Sequence, residues 1–390
     1  MAKVKDIAMQ IRGVSYHPED LHDNLDEDSV VLLRANNIKD GKLILDDVVY
    51  VSKSKVAEQQ YLQTDDILIC ASSGSKELVG KAAFVDSVKN PMTFGAFCKV
   101  VRPQPEYSEY LGHYFNSPVY RRKISALSAG ANINNIKNEH IDNLDIQLVD
   151  EKERQEIITI LNKLNMLISL RKQQLAKLDE LVKARFVEMF GDPVSNPKHW
   201  KTAFLLDIGY CKNGMNFHKG DSGVDIHCLG VGDFKNRTMI QNVEDLPFVS
   251  LNELPDPEYL LRDNDIIFVR SNGNKELVGR CLAIYPGSIP VTYSGFCIRY
   301  RLTSTNIDTP YLLHVLKTDS IRKKMTGRGA NIQNLNQQTL SQLLVPIPPL
   351  SLQNEFAAFV ERVDQQKQTI QQSLEKLELM KKVLMQEYFG

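Results

Sequence analysis

Two short loops carry the residue types best suited to bind a phosphate group. Residues 72–76 read SSGSK and residues 271–275 read SNGNK. Small polar residues let backbone N–H groups and a lysine ammonium approach an anion closely, and such contacts position a protein on a nucleic-acid backbone without reading its sequence. A hairpin turn with a solvated lysine is the structural alternative for each loop. Because the loop occurs twice, we favour the phosphate-binding interpretation.

Basic clusters follow each loop. They comprise Arg121, Arg122, Lys123 and Lys137 in the first half of the chain, and Lys317, Arg322, Lys323, Lys324 and Arg328 in the second. Such clusters supply the electrostatic part of nucleic-acid binding, although a solvated helix face has the same composition.

Residues able to read bases lie where the two halves of the chain differ most. They are Arg34, Asn36 and Asn37 in the first half, and Asp233, Lys235, Asn236 and Arg237 in the second. Different side chains on a common frame would give two different specificities, and surface drift would give the same pattern. The complete set of predicted DNA-binding residues is Arg34, Asn36, Asn37, Ser72, Ser73, Lys76, Lys81, Arg121, Arg122, Lys123, Lys235, Arg237, Ser271, Asn272, Lys275, Arg280, Arg322, Lys323 and Arg328.

The sequence contains none of the common catalytic motifs: no GxxxxGK[ST], no GxSxG and no HExxH. Its six cysteines form no CxxC pair, so we interpret them as reduced core residues. Four histidines, at positions 140, 199, 227 and 314, have no evident counterpart in the other half. We therefore predict neither a catalytic site nor a metal site.

An internal repeat determines where these residues lie. The segments KELVG, Phe-Cys, GANI and Phe-Gly each occur twice, starting at residues 76 and 275, 97 and 296, 130 and 329, and 190 and 389. All four pairs are separated by 199 residues. Four matches at one separation indicate a duplicated unit.

Each half has the same predicted plan. Short strands such as Asp66–Cys70 and Asp265–Val269 come first, bounded by Gly, Asn or Ser. GANI then leads into a short helix and an apolar strand, at residues 146–149 and 343–347, and a long helix ends the half. We predict an α+β fold with domains at 1–150 and 192–349 and long helices at 151–191 and 350–390.

The two long helices carry matching apolar seams. Leucine, isoleucine, valine and methionine recur in steps of four and three from Ile157 to Met189, and a similar seam runs from Phe356 to Tyr388. Arg171 and Arg185 interrupt the first seam, while Lys367 and Lys381 interrupt the second at other positions. We predict an antiparallel intramolecular coiled coil and a pseudo-twofold repeat, because a parallel pair would need a far longer connection.

Composition adds the broad class. The chain has 390 residues and a formal net charge of −1, which neither predicts nor excludes a nucleic-acid partner. We find no apolar run long enough to span a membrane and no signal peptide, so we expect a cytoplasmic protein.

The chain resembles the specificity subunits of type I restriction-modification systems. The resemblance lies in three places: residues 345–350, VPIPPL, before the second long helix with Gln353 and Phe356; Asn196-Pro197 with Trp200 at the join; and both GANI turns. The first half departs from the family pattern, with LVD at 148–150 in place of the proline pair and Arg154 in the place of Gln353.

The resemblance implies a function. Each domain would be a target-recognition domain that reads one half of a bipartite DNA site, and the helices would set the spacing and dock two methyltransferase subunits. S-adenosylmethionine, ATP and Mg²⁺ would be bound by the methyltransferase and restriction subunits, with no cofactor on this chain. Two alternatives stay open: an assembly scaffold without DNA binding, and a diverged methyltransferase or nuclease that acts alone.

Overall fold

The computed structural model describes residues 1–75, 77–127, 134–218, 220–234, 237–326 and 334–390. The chain divides into two compact units, which we call unit 1 and unit 2. Unit 1 comprises Met1–Gln173 and Ile370–Gly390, and unit 2 comprises Gln174–Thr369. Each unit therefore contains part of both long helices.

The elements from the start of the chain to the first long helix are short. The strands are β1 Ala2–Lys3, β2 Ala8–Arg12, β3 Leu21–His22, β4 Ser29–Leu33, β5 Ile38–Lys39, β6 Lys42–Leu43, β7 Val49–Ser52, β8 Ile67–Cys70, β9 Ser72–Ser73, β10 Ala82–Phe84, β11 Met92–Phe94, β12 Cys98–Pro103, β13 Asn134–Asn135 and β14 Asp145–Ile146. The helices are α1 Val4–Ile7, α2 Ser108–Phe115, α3 Pro118–Leu127, α4 Asn138–Asp142 and the long α5 Glu151–Phe190.

The elements after α5 repeat this plan. The strands are β15 Lys201–Phe204, β16 Gly209–Asn213, β17 Val224–Leu229, β18 Met239–Ile240, β19 Phe248–Leu251, β20 Asp265–Val269, β21 Cys281–Ile284, β22 Val291–Tyr293, β23 Cys297–Leu302 and β24 Leu344–Ile347. The helices are α6 Thr309–Lys317, α7 Asp319–Thr326, α8 Gln337–Ser341 and the long α9 Leu350–Phe389. The apolar strand predicted at 146–149 is therefore wrong in its bounds: this segment pairs with β1 only at Asp145–Ile146.

Sheet topology is alike in both units, except for one additional edge strand in each, β3 in unit 1 and β18 in unit 2. One sheet has the order β10-β8-β12-β2 in unit 1 and β18-β21-β20-β23-β16 in unit 2, where β18 adds an edge strand. The other sheet pairs β4 with β11 in parallel in unit 1, and β17 with β22 in unit 2. The predicted internal repeat is thus a repeat of the fold.

Strands β8 and β20, which lie inside the first of these sheets in their units, are buried on both faces. Ile67 and Ile69 of β8 pack toward the helices, whereas Leu68 and Cys70 pack toward the second sheet. Ile266 and Phe268 in β20 alternate with Ile267 and Val269 in the same way. Strand geometry turns successive side chains to opposite faces, so a continuous apolar run is what a doubly covered strand requires.

The long helices pair antiparallel within each unit. In unit 2, Arg185 contacts Glu355 at 2.9 Å and Asp179 contacts Lys367 at 2.6 Å, so residue numbers rise along one helix as they fall along the other. In unit 1, Lys172 contacts Glu378 at 3.1 Å, and residues 157–164 share a core with Met385 and Phe389. Arg185 and Lys367, two of the polar breaks in the seams, therefore form ion pairs between the helices.

Helix α5 ends at a glycine. Gly191 has φ +77°, in the left-handed region that favours glycine, and its N–H donates to the Val187 carbonyl. The indole N–H of Trp200 donates to the carbonyl of Phe190 at 3.1 Å. These two bonds satisfy carbonyls that a helix end leaves without partners.

Gln353 and Arg154 hold the first turn of each long helix against its own unit by different chemistry. Gln353 is fully buried and bonds to the backbone of Asn306, Asp308 and Pro348. Arg154 instead lies over the ring of Tyr107, with 4.7 Å from Cζ to the ring centroid. The departure from the family pattern at position 154 therefore preserves the anchoring of the helix.

The six cysteines are free, and five of them are buried. Burial raises the thiol pKa, to about 12 for Cys98 and Cys297. Five of the cysteines are thus core residues, as predicted, and Cys211 is half-buried and packs against the core.

The statement that His314 has no counterpart is wrong. His113 and His314 lie in the last turns of the equivalent helices α2 and α6, 201 residues apart rather than 199. Burial lowers the pKa of each imidazole to about 4, so both are neutral near pH 7; His113 is buried and His314 is half-buried. The insertion of two residues hid the match.

Candidate nucleic-acid interface

In unit 1, three backbone segments meet at what we call tip 1: residues 71–75, 95–97 and 134–136. The carbonyl of Phe97 accepts the N–H groups of Ala71 and Ser72, at 2.8 and 3.0 Å. Ser72 and Ser73 form β9, which pairs with Asn135 and Asn134 of β13. The predicted phosphate loop is thus a connection between β8 and β10 that is tied to two other segments.

Tip 2, at residues 270–275, 294–296 and 334–335, has the same construction in unit 2. The carbonyl of Phe296 accepts the N–H groups of Arg270 and Ser271, at 2.8 and 3.3 Å. Ser271 forms a bridge with Asn334. The side-chain oxygen of Asn272 accepts the backbone N–H of Asn274 at 2.8 Å, and Lys275 begins a short 3-10 turn.

The aromatic residues at the tips were missed as functional candidates. Phe97 and Phe296 are 71 % and 61 % exposed. The Phe-Cys pair was recognised as a marker of the repeat, but no sequence pattern distinguishes its exposed phenylalanine from a core one. Cys98 and Cys297, the next residues in the chain, are fully buried.

The equivalent arginines Arg121 and Arg322 hold the loops in place. The guanidinium of Arg121 donates to the carbonyls of Glu77 and Val79, at 3.0 and 2.7 Å. Arg322 donates to the carbonyls of Glu276 and Val278, at 3.1 and 3.2 Å. A guanidinium that already binds two carbonyls in this way is suited to position the loop.

Other members of the basic clusters differ in their surroundings. Arg122 bonds to the Gln386 side chain on α9, and Lys123 donates to the carbonyl of Asp145 at 3.2 Å. Lys323 is exposed. Lys81 is half-buried and directly follows the loop of tip 1.

The predicted base-reading residues of the first half gather around one carboxylate. Arg34 and Asn36 both donate to Asp47, at 3.3 and 2.6 Å. Asn37 is buried, and its side chain accepts the N–H of Arg34 at 2.8 Å. The side chain of Asp233 accepts the N–H of Gly230 in the same way in unit 2, so Asn37 and Asp233 are structural counterparts.

Three candidate arginines of unit 2 line a single cavity. Arg237, Arg280 and Arg322 border a volume of about 620 Å³ together with Lys317 and Asp364. Burial lowers the pKa of Lys317 and raises that of Asp364. The structure thus brings these three arginines to one cavity.

Some predictions fall outside the described residues. They concern Lys76, Lys235, Asn236, Arg328 and both GANI turns. Within the described ranges, no group of three or more His, Cys, Asp or Glu side chains could hold a metal ion. The described helices include none long and apolar enough to cross a membrane.

Known proteins match both units. Residues 10–180 and 197–379 each match the family model of the type I restriction modification DNA specificity domain. The chain is 32 % identical to the type I restriction enzyme StySPI specificity subunit of Salmonella potsdam, over 96 % of this chain and 83 % of that protein. It is 31 % identical to the EcoKI specificity subunit of Escherichia coli strain K12, over 96 % and 84 %.

Two solved structures share the fold. The S subunit of a type I system from M. genitalium has a TM-score of 0.53 at 15 % identity, covering 100 % of this chain and 95 % of that one. A chain from a study of type I complex assembly and conformational transition has a TM-score of 0.58 at 14 % identity, covering 99 % and 96 %. The predicted duplicated α+β fold and family resemblance are confirmed: the chain belongs to the type I restriction-modification DNA specificity family.

Proposed function

We propose that this chain is the DNA-specificity subunit of a type I restriction-modification complex and that each unit reads one half of a bipartite site. The observation that carries the proposal is the duplication of one two-sheet frame with its tip, each copy within a segment matched by the DNA specificity family model. A duplicated reader suits a site with two parts, because each copy can diverge in its contacts without changing the frame.

The tips supply the backbone contacts in this proposal. Ser72, Ser73, Ser271 and Asn272 lie where backbone N–H groups and small polar side chains can approach phosphates. Arg121 and Arg322 support these contacts indirectly, because their guanidinium groups bind backbone carbonyls of the same connections between strands. Base readout is assigned to the segments at 34–37 and 233–237, where the copies differ.

The long helices set the spacing between half-sites. We assign residues 1–150 and 192–349 to the two recognition domains and residues 151–191 and 350–390 to the helices. Both helices run without interruption through the division at Gln173 and Thr369. Their length therefore enters directly into the distance between the half-sites.

The helices also offer a docking surface for methyltransferase subunits. In unit 1 their exposed apolar side chains include Met166, Leu170, Leu379 and Val383, which are 63 %, 42 %, 61 % and 56 % exposed. Groups of exposed apolar side chains on helices are typical of protein interfaces. Catalysis then belongs to two docked methyltransferase subunits and to restriction subunits, which bring S-adenosylmethionine, ATP and Mg²⁺. Because the proposed partner is DNA, we propose that the complex acts in the cytoplasm.

A salt titration tests the proposal. The full chain with its cognate methyltransferase subunits is mixed with a random duplex library, the bound fraction is sequenced, and affinity for the selected site is measured by gel shift. We expect a bipartite motif and a loss of affinity of about 10³-fold or more between about 50 and 200 mM salt, because phosphate contacts release counterions. Stable assembly with the methyltransferase subunits but no sequence preference would favour the scaffold alternative.

A further inference from the structure

Each unit exposes one phenylalanine at the same structural position. Phe97 and Phe296 are 71 % and 61 % exposed and 199 residues apart. A single exposed aromatic residue is ordinary on a protein surface. Packing does not explain why an exposed phenylalanine occurs at the same position of two units that otherwise differ, because neither ring is covered within its own unit.

The backbone under each ring is held firmly. Phe97 lies in a turn closed by the bond from the Cys98 N–H to the Gly95 carbonyl, and Phe296 lies in the equivalent turn from Cys297 to Ser294, both at 2.8 Å. Each phenylalanine carbonyl also accepts two N–H groups from the neighbouring polar loop. A side chain with two rotatable angles on a fixed backbone loses little entropy when it contacts a partner.

The neighbours of the rings favour nucleic acid over protein as that partner. The segments bonded to Phe97 and Phe296 carry Ser72, Ser73, Ser271 and Asn272. The core of a protein interface is apolar, whereas these neighbours are polar. An aromatic ring next to phosphate-contacting groups is the arrangement by which proteins stack on bases or wedge between base steps.

Resting on the proposed function, we propose that Phe97 and Phe296 are a matched pair of base-contacting wedges. Each ring enters a groove at the half-site read by its own unit and stacks against a base there. The polar loop bonded to its carbonyl contacts the adjacent phosphates, so the ring and the loop approach the duplex together.

The test uses the full chain with cognate methyltransferase subunits and a duplex that carries the selected bipartite site. F97A and F296A are compared with F248A, which removes a phenylalanine of similar exposure, 62 %, whose ring already packs on His227. We expect F97A and F296A each to weaken binding about tenfold or more, because base–aromatic stacking has that magnitude. F248A should change binding less than about twofold.

Two further readouts separate stacking from charge and from misfolding. The slope of log affinity against log salt should stay unchanged in F97A and F296A, because a phenyl ring releases no counterion. The fluorescence of 2-aminopurine placed in one half-site should respond to only one of the two variants. Both variants should keep the wild-type thermal unfolding midpoint, because the deleted rings are exposed.

The outcomes are distinct. Specific wild-type binding that persists at full affinity in F97A and F296A, or an equal loss in F248A, would overturn the wedge assignment and leave the proposed function standing. Absence of specific binding by the wild-type complex would overturn both. Weaker assembly with methyltransferase subunits at unchanged DNA affinity would mean that the rings contact protein.

Discussion

Inserting seven residues into each long helix should move the two half-sites apart by about three base pairs. An α-helix rises about 1.5 Å per residue, so one heptad adds about 10 Å, and a DNA base pair occupies about 3.4 Å. The insertions belong after Gln173 and after Thr369, at the division between the units. A heptad with leucine at its two seam positions rotates the following helix by only about 20° and keeps the seam in register.

The assay is selection from a random duplex library, followed by comparison of the recovered motifs. We expect the sequences of both half-sites to be unchanged and only the number of intervening base pairs to increase. Insertion into α5 alone is the matched control, because it lengthens one of the two paired helices and offsets its seam against the seam of the other helix; this variant should lose specific binding. Retention of the wild-type spacing by a double-insertion variant that still binds would refute the idea that helix length sets the spacing.

Two other predictions follow from individual contacts, and a third follows from the duplication. Arg301→Ala should destabilise unit 2 by about 3–5 kcal/mol because it leaves the buried Asp265 carboxylate without its cation. Urea unfolding, monitored by the fluorescence of the single tryptophan, which lies in unit 2, measures this loss. The equivalent Arg102→Ala in unit 1 is the control and should barely move the same transition. Burial lowers the pKa of His314 to about 4, from about 6.5 in the unfolded chain. The neutral imidazole therefore contributes fully to stability above about pH 6.5, and the free energy of unfolding falls by about 1.4 kcal/mol per pH unit as pH drops from about 6.5 toward 4. H314Q should make the free energy of unfolding less dependent on pH in this range, and an equal slope in the variant would contradict the assignment. Replacing residues 1–130 with those of a related protein should change one half-site in the selected motif, and a change in both would count against independent units.

Repetition made much of the fold predictable. Four matched segments at one separation implied two copies of a single fold, and heptad seams in both long helices implied that they pair. Both inferences rest on periodicity, which can be read directly from the order of residues in the chain. Local insertions disturb this periodicity, and for this reason the two-residue shift around α2 and α6 hid the equivalence of His113 and His314.

The roles of the basic residues could not be predicted in this way. Arg121 was predicted to bind DNA as part of a basic cluster, and in the structure its guanidinium binds the backbone carbonyls of Glu77 and Val79. Arg34 and Asn36 were predicted base readers, and they meet at Asp47. The partner of a side chain often lies on a segment far away in the sequence, and local composition does not show which distant segments lie beside it in the fold.

The sequence alone determined the duplicated plan, the helical seams and the family, because each is a pattern of residue types along the chain. Only the tertiary structure decided which polar groups bind the protein itself and which aromatic rings stay uncovered. Phe97 and Cys98 are neighbours in an apolar pair, yet the thiol is buried and the ring is exposed. The turn that closes between Gly95 and Cys98 sends the two side chains to opposite environments, and that turn is held by bonds from the neighbouring loop.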